Sequence, residues 1–261
     1  MTSAPQPSVR KPKPTFTLEV IAQQWLSPSL VRVTFGGEGF ALFEDRPETD
    51  KYIKLGFTTP APESHPVTRT YTVRSVDHAA RTIDVDFVVH GAEGLAGPWA
   101  ESARAGEPIV MRGPGGGFRP DPAADRYLFV GDLSAVPAIS AALESLNVGA
   151  NVSVFIEVES EAAIPPMPAP LGVRVEWIVD PEHRTETLAN RVREWGKPID
   201  DVQIFAHGER ESMKVLRRLV NGEWQLPRQR LSLSGYWARG RTEDRFQQEK
   251  REPIGQIFPE S

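Results

Sequence analysis

The stretch RYLFVGDLSAVPA, residues 126–138, decides the fold. Tyr127–Val130 is a short, wholly apolar run, as expected of a strand buried on both faces. Gly131-Asp132 ends it, and a helix is expected over Val136–Leu146. Downstream the same alternation repeats. Strands are expected at Val152–Val158, Val173–Val179, Val202–Ala206 and Leu231–Ser234, with helices at Thr185–Trp195 and Glu209–Val220. Strand and helix in turn predict a doubly wound parallel sheet. The junction Gly131–Ala138 then lies where such sheets bind ligands, outside the carboxyl ends of the strands. A plain strand–helix connection would read the same. It has one glycine rather than GxGxxG, and Asp132 would repel a pyrophosphate.

Upstream of Arg126 the period is two. Thr15–Ile21, Ser29–Phe35, Lys51–Phe57, Arg69–Val76, Arg81–His90 and Glu107–Met111 look like strands. In Arg81–His90 the residues Ile83, Val85, Phe87 and Val89 alternate with Asp84, Asp86 and His90, giving one apolar and one polar face. Turns fall at Gly36-Gly37, Thr59–Pro62 and Asp77-His78, so a six-stranded antiparallel barrel is expected. The glycine-rich segment Gly113–Pro120 is the natural hinge. The predicted class is therefore a two-domain β plus α/β protein. Residues 1–14 form a flexible tail, 15–123 the barrel, and 124–261 the α/β domain with a C-terminal helical extension.

Composition narrows the function. The chain has 261 residues, 39% apolar and 25% charged, which excludes a disordered chain, a collagen or a coiled coil. It has no cysteine, which removes disulfides, cysteine nucleophiles, thiolate zinc sites and cysteine-ligated iron–sulfur clusters. The net charge of −5 argues against nucleic-acid binding, so an anionic substrate needs a local basic patch. No apolar run approaches the roughly 20 residues that cross a bilayer, so no membrane insertion is expected. The first fourteen residues, MTSAPQPSVRKPKP, lack the apolar core of a signal peptide, and a cytoplasmic address follows by elimination. A monomer is expected.

Two further segments carry chemistry. In Arg69-Thr70-Tyr71-Thr72 a phenol shares a strand face with a guanidinium, a pairing that could stack on a ring and hold a phosphate. An ordinary half-buried strand has the same pattern. In His90–Ala100, glycines 91, 94 and 97 precede Pro98, and free amides at a helix start make an anion site. The plainer reading is a glycine-rich turn with Trp99 in the core and His90 structurally satisfied.

Taken in order, Arg69–Thr72, His90–Ala100, Gly131–Ala138 and Gly235-Tyr236-Trp237-Ala238-Arg239-Gly240 resemble the siderophore-interacting protein family of ferredoxin–NADP reductase-like flavoproteins. The resemblance covers about Thr15 to Arg251 and implies a bound FAD in the barrel domain. Arg69 would hold the pyrophosphate or ribityl side, Tyr71 would pack on the isoalloxazine, and Thr72 would hydrogen-bond near N5. His90 and Gly91 would line the ribityl and phosphate path. The amides of Ala96, Gly97 and Trp99 would cap the pyrophosphate. Thr70, Val88, Gly94 and Ala100 complete the implied FAD contacts. Relatives carry a hydroxyl residue where this chain has Gly97.

NADH or NADPH is the implied electron donor, at an α/β edge formed by Gly131, Asp132, Ser134 and Ala135. An anionic ferric siderophore is the implied substrate, met by Lys54, Arg239 and Arg241. Gly115 stands where many relatives have a cation. The implied activity is a ferric-siderophore reductase. Electrons pass from NAD(P)H through FAD to Fe(III), with Tyr71 and Thr72 at the reacting ring and no protein acid or base. Two alternatives remain: a general flavin or quinone reductase, and a non-catalytic siderophore-binding protein.

Overall fold

A computed structural model describes residues 13–57, 67–90, 94–170 and 172–258. Six strands come first: β1 (Thr15–Ser27), β2 (Leu30–Gly36), β3 (Tyr52–Phe57), β4 (Val67–Asp77), β5 (Thr82–Val88) and β6 (Pro108–Gly115). They close into an antiparallel barrel in the order β1-β2-β5-β4-β3-β6. The alternation in β5 works as the sequence implies, with Ile83, Val85 and Phe87 fully buried. A short helix, α1 (Ala96–Ser102), plugs the barrel. Its Trp99 ring stacks on Phe35 at 6.1 Å and meets Phe57 edge-on at 5.6 Å.

The second unit follows in chain order: β7 (Arg126–Asp132), α2 (Val136–Ser145), β8 (Val152–Val158), β9 (Val175–Val179), α3 (Thr187–Trp195), β10 (Val202–Glu209), α4 (Arg210–Arg217), β11 (Leu231–Trp237) and α5 (Glu243–Glu249). Its five strands are all parallel, in the order β11-β10-β7-β8-β9. The order reverses between β7 and β10, which makes their carboxyl ends the switch point. The expected class, a barrel followed by a doubly wound sheet, is the observed one.

Several boundaries move for physical reasons. β1 runs six residues past Ile21, because its first half pairs with β6 and its second half with β2, with a bulge at Ile21. Gly113–Gly115, expected as hinge, belong to β6. There Gly115 pairs with Tyr52, and Gly113 N–H donates to the Pro14 carbonyl at 3.2 Å. The connection therefore begins at Gly116. α3 starts at Thr187 rather than Thr185, because the Asp180 carboxylate gathers the amides of Glu182 and Arg184 and the Thr187 hydroxyl. α4 closes with a wider turn over Arg218–Glu223.

Side chains join the two units. Arg74 on β4 grips Glu144 on α2 through two bonds of 2.7 Å, and Ser29 reaches Glu159 at 2.7 Å. Phe118, just after the barrel, packs into the α/β core against Phe205 at 4.8 Å. Of the expected N-terminal tail, residues 1–12 lie outside the described residues.

Candidate functional site

β4 pairs with β3 so that Thr70, Tyr71 and Thr72 stand opposite Lys54, Ile53 and Tyr52. Lys54 Nζ donates to Thr70 Oγ1 at 3.1 Å. The Tyr71 ring leans on Phe87, centroids 4.4 Å apart. Burial, with the Glu243 carboxylate adding to it, pushes its phenol well above the ordinary value, so Tyr71 stays a neutral, planar surface. Thr72 is buried, and burial pushes the nearby Tyr236 phenol well above its ordinary value, a rise that the Thr72 hydroxyl opposes. Arg69 donates to Asp244 on α5 at 2.8 Å and to the Thr68 carbonyl at 3.1 Å. The Asp244 side chain is 63% exposed, so water or another anion can reach this pair.

At the start of α1, Leu95 provides no side-chain cap. The Ala96 and Gly97 amides have no loop partner among the described residues, but Trp99 N–H already donates to the Leu95 carbonyl at 3.2 Å. This corrects the expectation that Trp99 offers its amide to a phosphate. Its indole is engaged as well, donating to Glu107 at 2.6 Å. Ala100 is fully buried against the barrel core. Trp99 and Ala100 are therefore structural, the plainer of the two readings. A methyl group at Gly97 would meet the Val88 carbonyl only at 3.5 Å, so internal packing does not demand the glycine, and its bareness leaves room before the helix. Gly94 turns the chain there with φ of 84°. Val88 packs toward the α/β core, and His90 is exposed. Gly91 lies outside the described residues.

The switch point is filled by the chain itself. The Asp132 carboxylate is buried and accepts from Ser134 N–H at 2.9 Å, the Ser134 hydroxyl, Glu209 N–H at 2.8 Å and Trp237 Nε1 at 2.9 Å. Burial raises its pKa, and these donors oppose the rise. Gly208 has φ of 154°, and a side chain there would strike the Asp132 carboxylate at 2.6 Å. Gly131 is squeezed between Ala135 and the His207 carbonyl, at 2.5 and 2.7 Å from any added Cβ. Asp132, Gly131 and Ala135 thus tie β7, β10 and β11 together, and the Asp132 oxygens are already taken by protein donors. Glu209 does the same for α4, accepting from Glu211 N–H at 2.6 Å and Ser212 N–H at 2.9 Å.

The C-terminal cations divide in a way the sequence did not indicate. Arg239 and Arg241 line a cleft with Thr185, Glu209 and Lys214, and Lys54 is not part of it. Lys54 instead holds Thr70 on β4. Arg241 and Arg245 both bind Glu249, at 2.8 and 2.9 Å, and Arg210 joins them at 2.5 Å. The three guanidinium groups, Arg210 foremost, hold the Glu249 carboxyl down to about 2. Lys250, just after α5, is a further cation that feels the Lys54 charge. Packing around the Lys250 ammonium, with the Lys54 charge adding to it, lowers its pKa, while Glu243 opposes the drop. Sequence reasoning gave no site role to Lys250, and none to Tyr236 beyond its place in the Gly235–Gly240 segment. Tyr236 stood in plain view, at the end of an apolar strand beside Gly235.

The family model for the siderophore-interacting protein matches residues 124–240, and that for the siderophore-interacting FAD-binding domain matches residues 57–118. The chain is similar to an uncharacterized protein of Mycobacterium tuberculosis, 41% identical over 92% of this chain and 96% of that one. It is also similar to the ferric vibriobactin reductase ViuB of Vibrio cholerae, 32% identical over 92% of this chain and 96% of that one. Among solved structures, the siderophore-interacting protein SipS of Aeromonas hydrophila superposes with a TM-score of 0.82 at 26% identity, covering 92% of this chain and 98% of that one.

Proposed function

The chain belongs to the siderophore-interacting protein family, and from that premise we propose that it is an FAD-dependent ferric-siderophore reductase with NAD(P)H as electron donor. The observation that carries the reading is strand β4, where the Arg69 guanidinium is paired with an exposed carboxylate and the Tyr71 ring is held flat against Phe87. The residues present fit FAD. Among the described residues the charged partner of Arg69 is the exposed Asp244 carboxylate, which a diphosphate can replace by forming charge-assisted hydrogen bonds. The Ala96 and Gly97 amides supply donors without charge. Bound FAD supplies the chemistry, accepting a hydride and releasing electrons singly to iron.

The chain's own side chains bind and orient. Tyr71, locked against Phe87, offers a flat apolar surface to a ring. Thr72, buried beside Tyr236, directs a hydroxyl from a fixed strand position. Lys54 and Lys250 are two cations within reach of each other's charge, with Glu243 opposing beside Lys250. That supports a polyanionic ferric chelate as substrate, on a protein whose net charge is −5. No residue is needed as proton donor or acceptor for electron transfer to Fe(III). ViuB is named as a ferric vibriobactin reductase, which agrees with this reading. Reconstitution with FAD tests it: the protein takes up FAD at micromolar concentration and bleaches anaerobically with NADH or NADPH. A chain that takes up no FAD overturns the proposal.

A further inference from the structure

The outward face of the barrel beside β4 carries two cations without an assigned role, Lys13 and Arg112. On β3, Ile53 and Leu55 are fully buried, so the alternate residues Tyr52 and Lys54 point outward. The register sets Lys54 between Arg112 on β6 and Thr70 on β4, and Tyr52 between Gly115 and Thr72. Residues paired across a sheet share a face, so these two rows form one surface. Arg112 is exposed there.

Lys13 reaches the same surface from just before β1. Its ammonium lies over the Tyr52 ring, 4.6 Å from the centroid, and donates to the Tyr52 hydroxyl at 3.3 Å. The backbone beside it is pinned, since the Pro14 carbonyl accepts Gly113 N–H at 3.2 Å. Gly115 makes room for this arrangement. A Cβ at that position would meet the Tyr52 ring at 2.5 Å and would collide with the Lys13 ammonium as well. Position 115 is bare, and the charge above it comes from Lys13.

Among the described residues, Lys13, Lys54 and Arg112 make no ion pair. Glu48 and Asp50 border the adjacent Gly116, but both are engaged. Glu48 pairs with Arg46 at 3.0 Å, and Asp50 accepts the Gly117 and Phe118 amides at 2.8 Å. The two rows themselves hold no carboxylate. On a chain of net charge −5 they make a local positive field.

We propose that Lys13 and Arg112 are specificity-determining residues that, with Lys54, select an anionic ferric chelate over a neutral one. Tyr52 is a positioning residue that seats Lys13. The inference rests on the reading that a polyanionic chelate is the substrate, and it adds which residues read its charge. Thr72, at the end of the Tyr52 row, lies on the strand assigned to the flavin, so a chelate on this face sits beside the source of electrons.

Calorimetric titration of the oxidised, FAD-loaded protein with two gallium(III) complexes tests it. Gallium(III) is not reduced, so binding is read apart from electron transfer. The tris-catecholate is strongly anionic, and the tris-hydroxamate is neutral. Lys13→Ala combined with Arg112→Ala weakens the tris-catecholate at least tenfold and leaves FAD content and tris-hydroxamate affinity unchanged. Lys13→Arg combined with Arg112→Lys retains most of the affinity. Tyr52→Ala costs as much affinity as Lys13→Ala, and the two together cost no more. Wild-type affinity in the double alanine variant, or equal losses for the two complexes, overturns the inference. Additive losses at Tyr52 and Lys13 overturn the role given to Tyr52. On the same variants, chemically reduced protein is mixed with a ferric tris-catecholate. If the double alanine variant reduces it with the wild-type KM, this inference fails and the reductase reading stands. A wild type that reduces no iron overturns the reading itself.

Discussion

The β4 face and the switch point of the sheet are both places where these folds bind phosphates, yet their polar groups are engaged very differently. On the β4 face, Arg69 has an exposed partner, Thr70 holds only Lys54, and the first turn of α1 has no side-chain cap. At the switch point Asp132 takes four donors from protein, and Glu209 takes three amides. Position in the fold therefore does not by itself make a site. What matters is whether the donors there are still free, and the chain's own carboxylates use them up at the sheet and leave them at the barrel.

The contrast is most open to attack at Asp132. Asp132→Ala leaves the Glu209 and Ser134 amides and the Trp237 indole without their buried acceptor, at about 1–3 kcal/mol each before relaxation. A loss of roughly 3 kcal/mol or more is expected, read as a lower urea midpoint. Arg69→Ala on the barrel removes a guanidinium whose partner, Asp244, is 63% exposed, and changes stability by about 1 kcal/mol. If the two variants lose similar stability, the distinction between a structural and a binding region collapses.

FAD affinity runs the other way. Arg69→Ala weakens FAD at least tenfold, about 1.4 kcal/mol, by equilibrium dialysis. Asp244→Ala, which frees the same guanidinium, leaves FAD binding unchanged or tighter. FAD that binds the Arg69 variant at wild-type strength removes the diphosphate from this face.

The barrel and sheet were legible because a period of two and an alternation of strands with helices write themselves into local sequence. Trp99 was legible as a core residue too, since a large ring beside small neighbours usually fills space. The ion cluster around Glu249 was not. Arg210 lies 39 residues away, and only the fold brings it to the same carboxylate as Arg241 and Arg245. Once Glu249 absorbs Arg241, the cation near Lys54 has to be another residue, and Lys250 fills that place. Asp132 showed its charge but not its four donors, which come from three residues, Ser134 through a tight turn and Glu209 and Trp237 through the switch in strand order.

The cation reassignment can be checked directly. Lys54→Ala with Lys250→Ala raises the KM for an anionic ferric tris-catecholate roughly tenfold, near 1.4 kcal/mol, with FAD content unchanged. Added salt weakens the wild type more than this variant. An unchanged KM puts the chelate elsewhere.

A pH-dependent effect concerns Glu157, at the end of β8 beside Asp132. Burial raises its pKa from 4.5 to about 6, with the His183 hydrogen bond opposing and the Asp132 charge adding. A raised carboxyl binds its proton more readily in the folded state, so its contribution makes the protein less stable above pH 6 and more stable as pH falls toward 4.5. The shift corresponds to roughly 1–2 kcal/mol. Glu157→Gln flattens that stretch of the stability–pH curve, and an unaltered curve contradicts the assignment.

The central claim is that the barrel face holds a flavin that reduces chelated iron. The most direct test mixes chemically reduced, FAD-loaded protein anaerobically with a ferric tris-catecholate in the presence of a ferrous chelator. The oxidised flavin band near roughly 450 nm returns and about two Fe(II) appear per FAD, since each flavin carries two electrons and each iron takes one. Flavin that stays reduced beside an intact ferric complex would contradict the account.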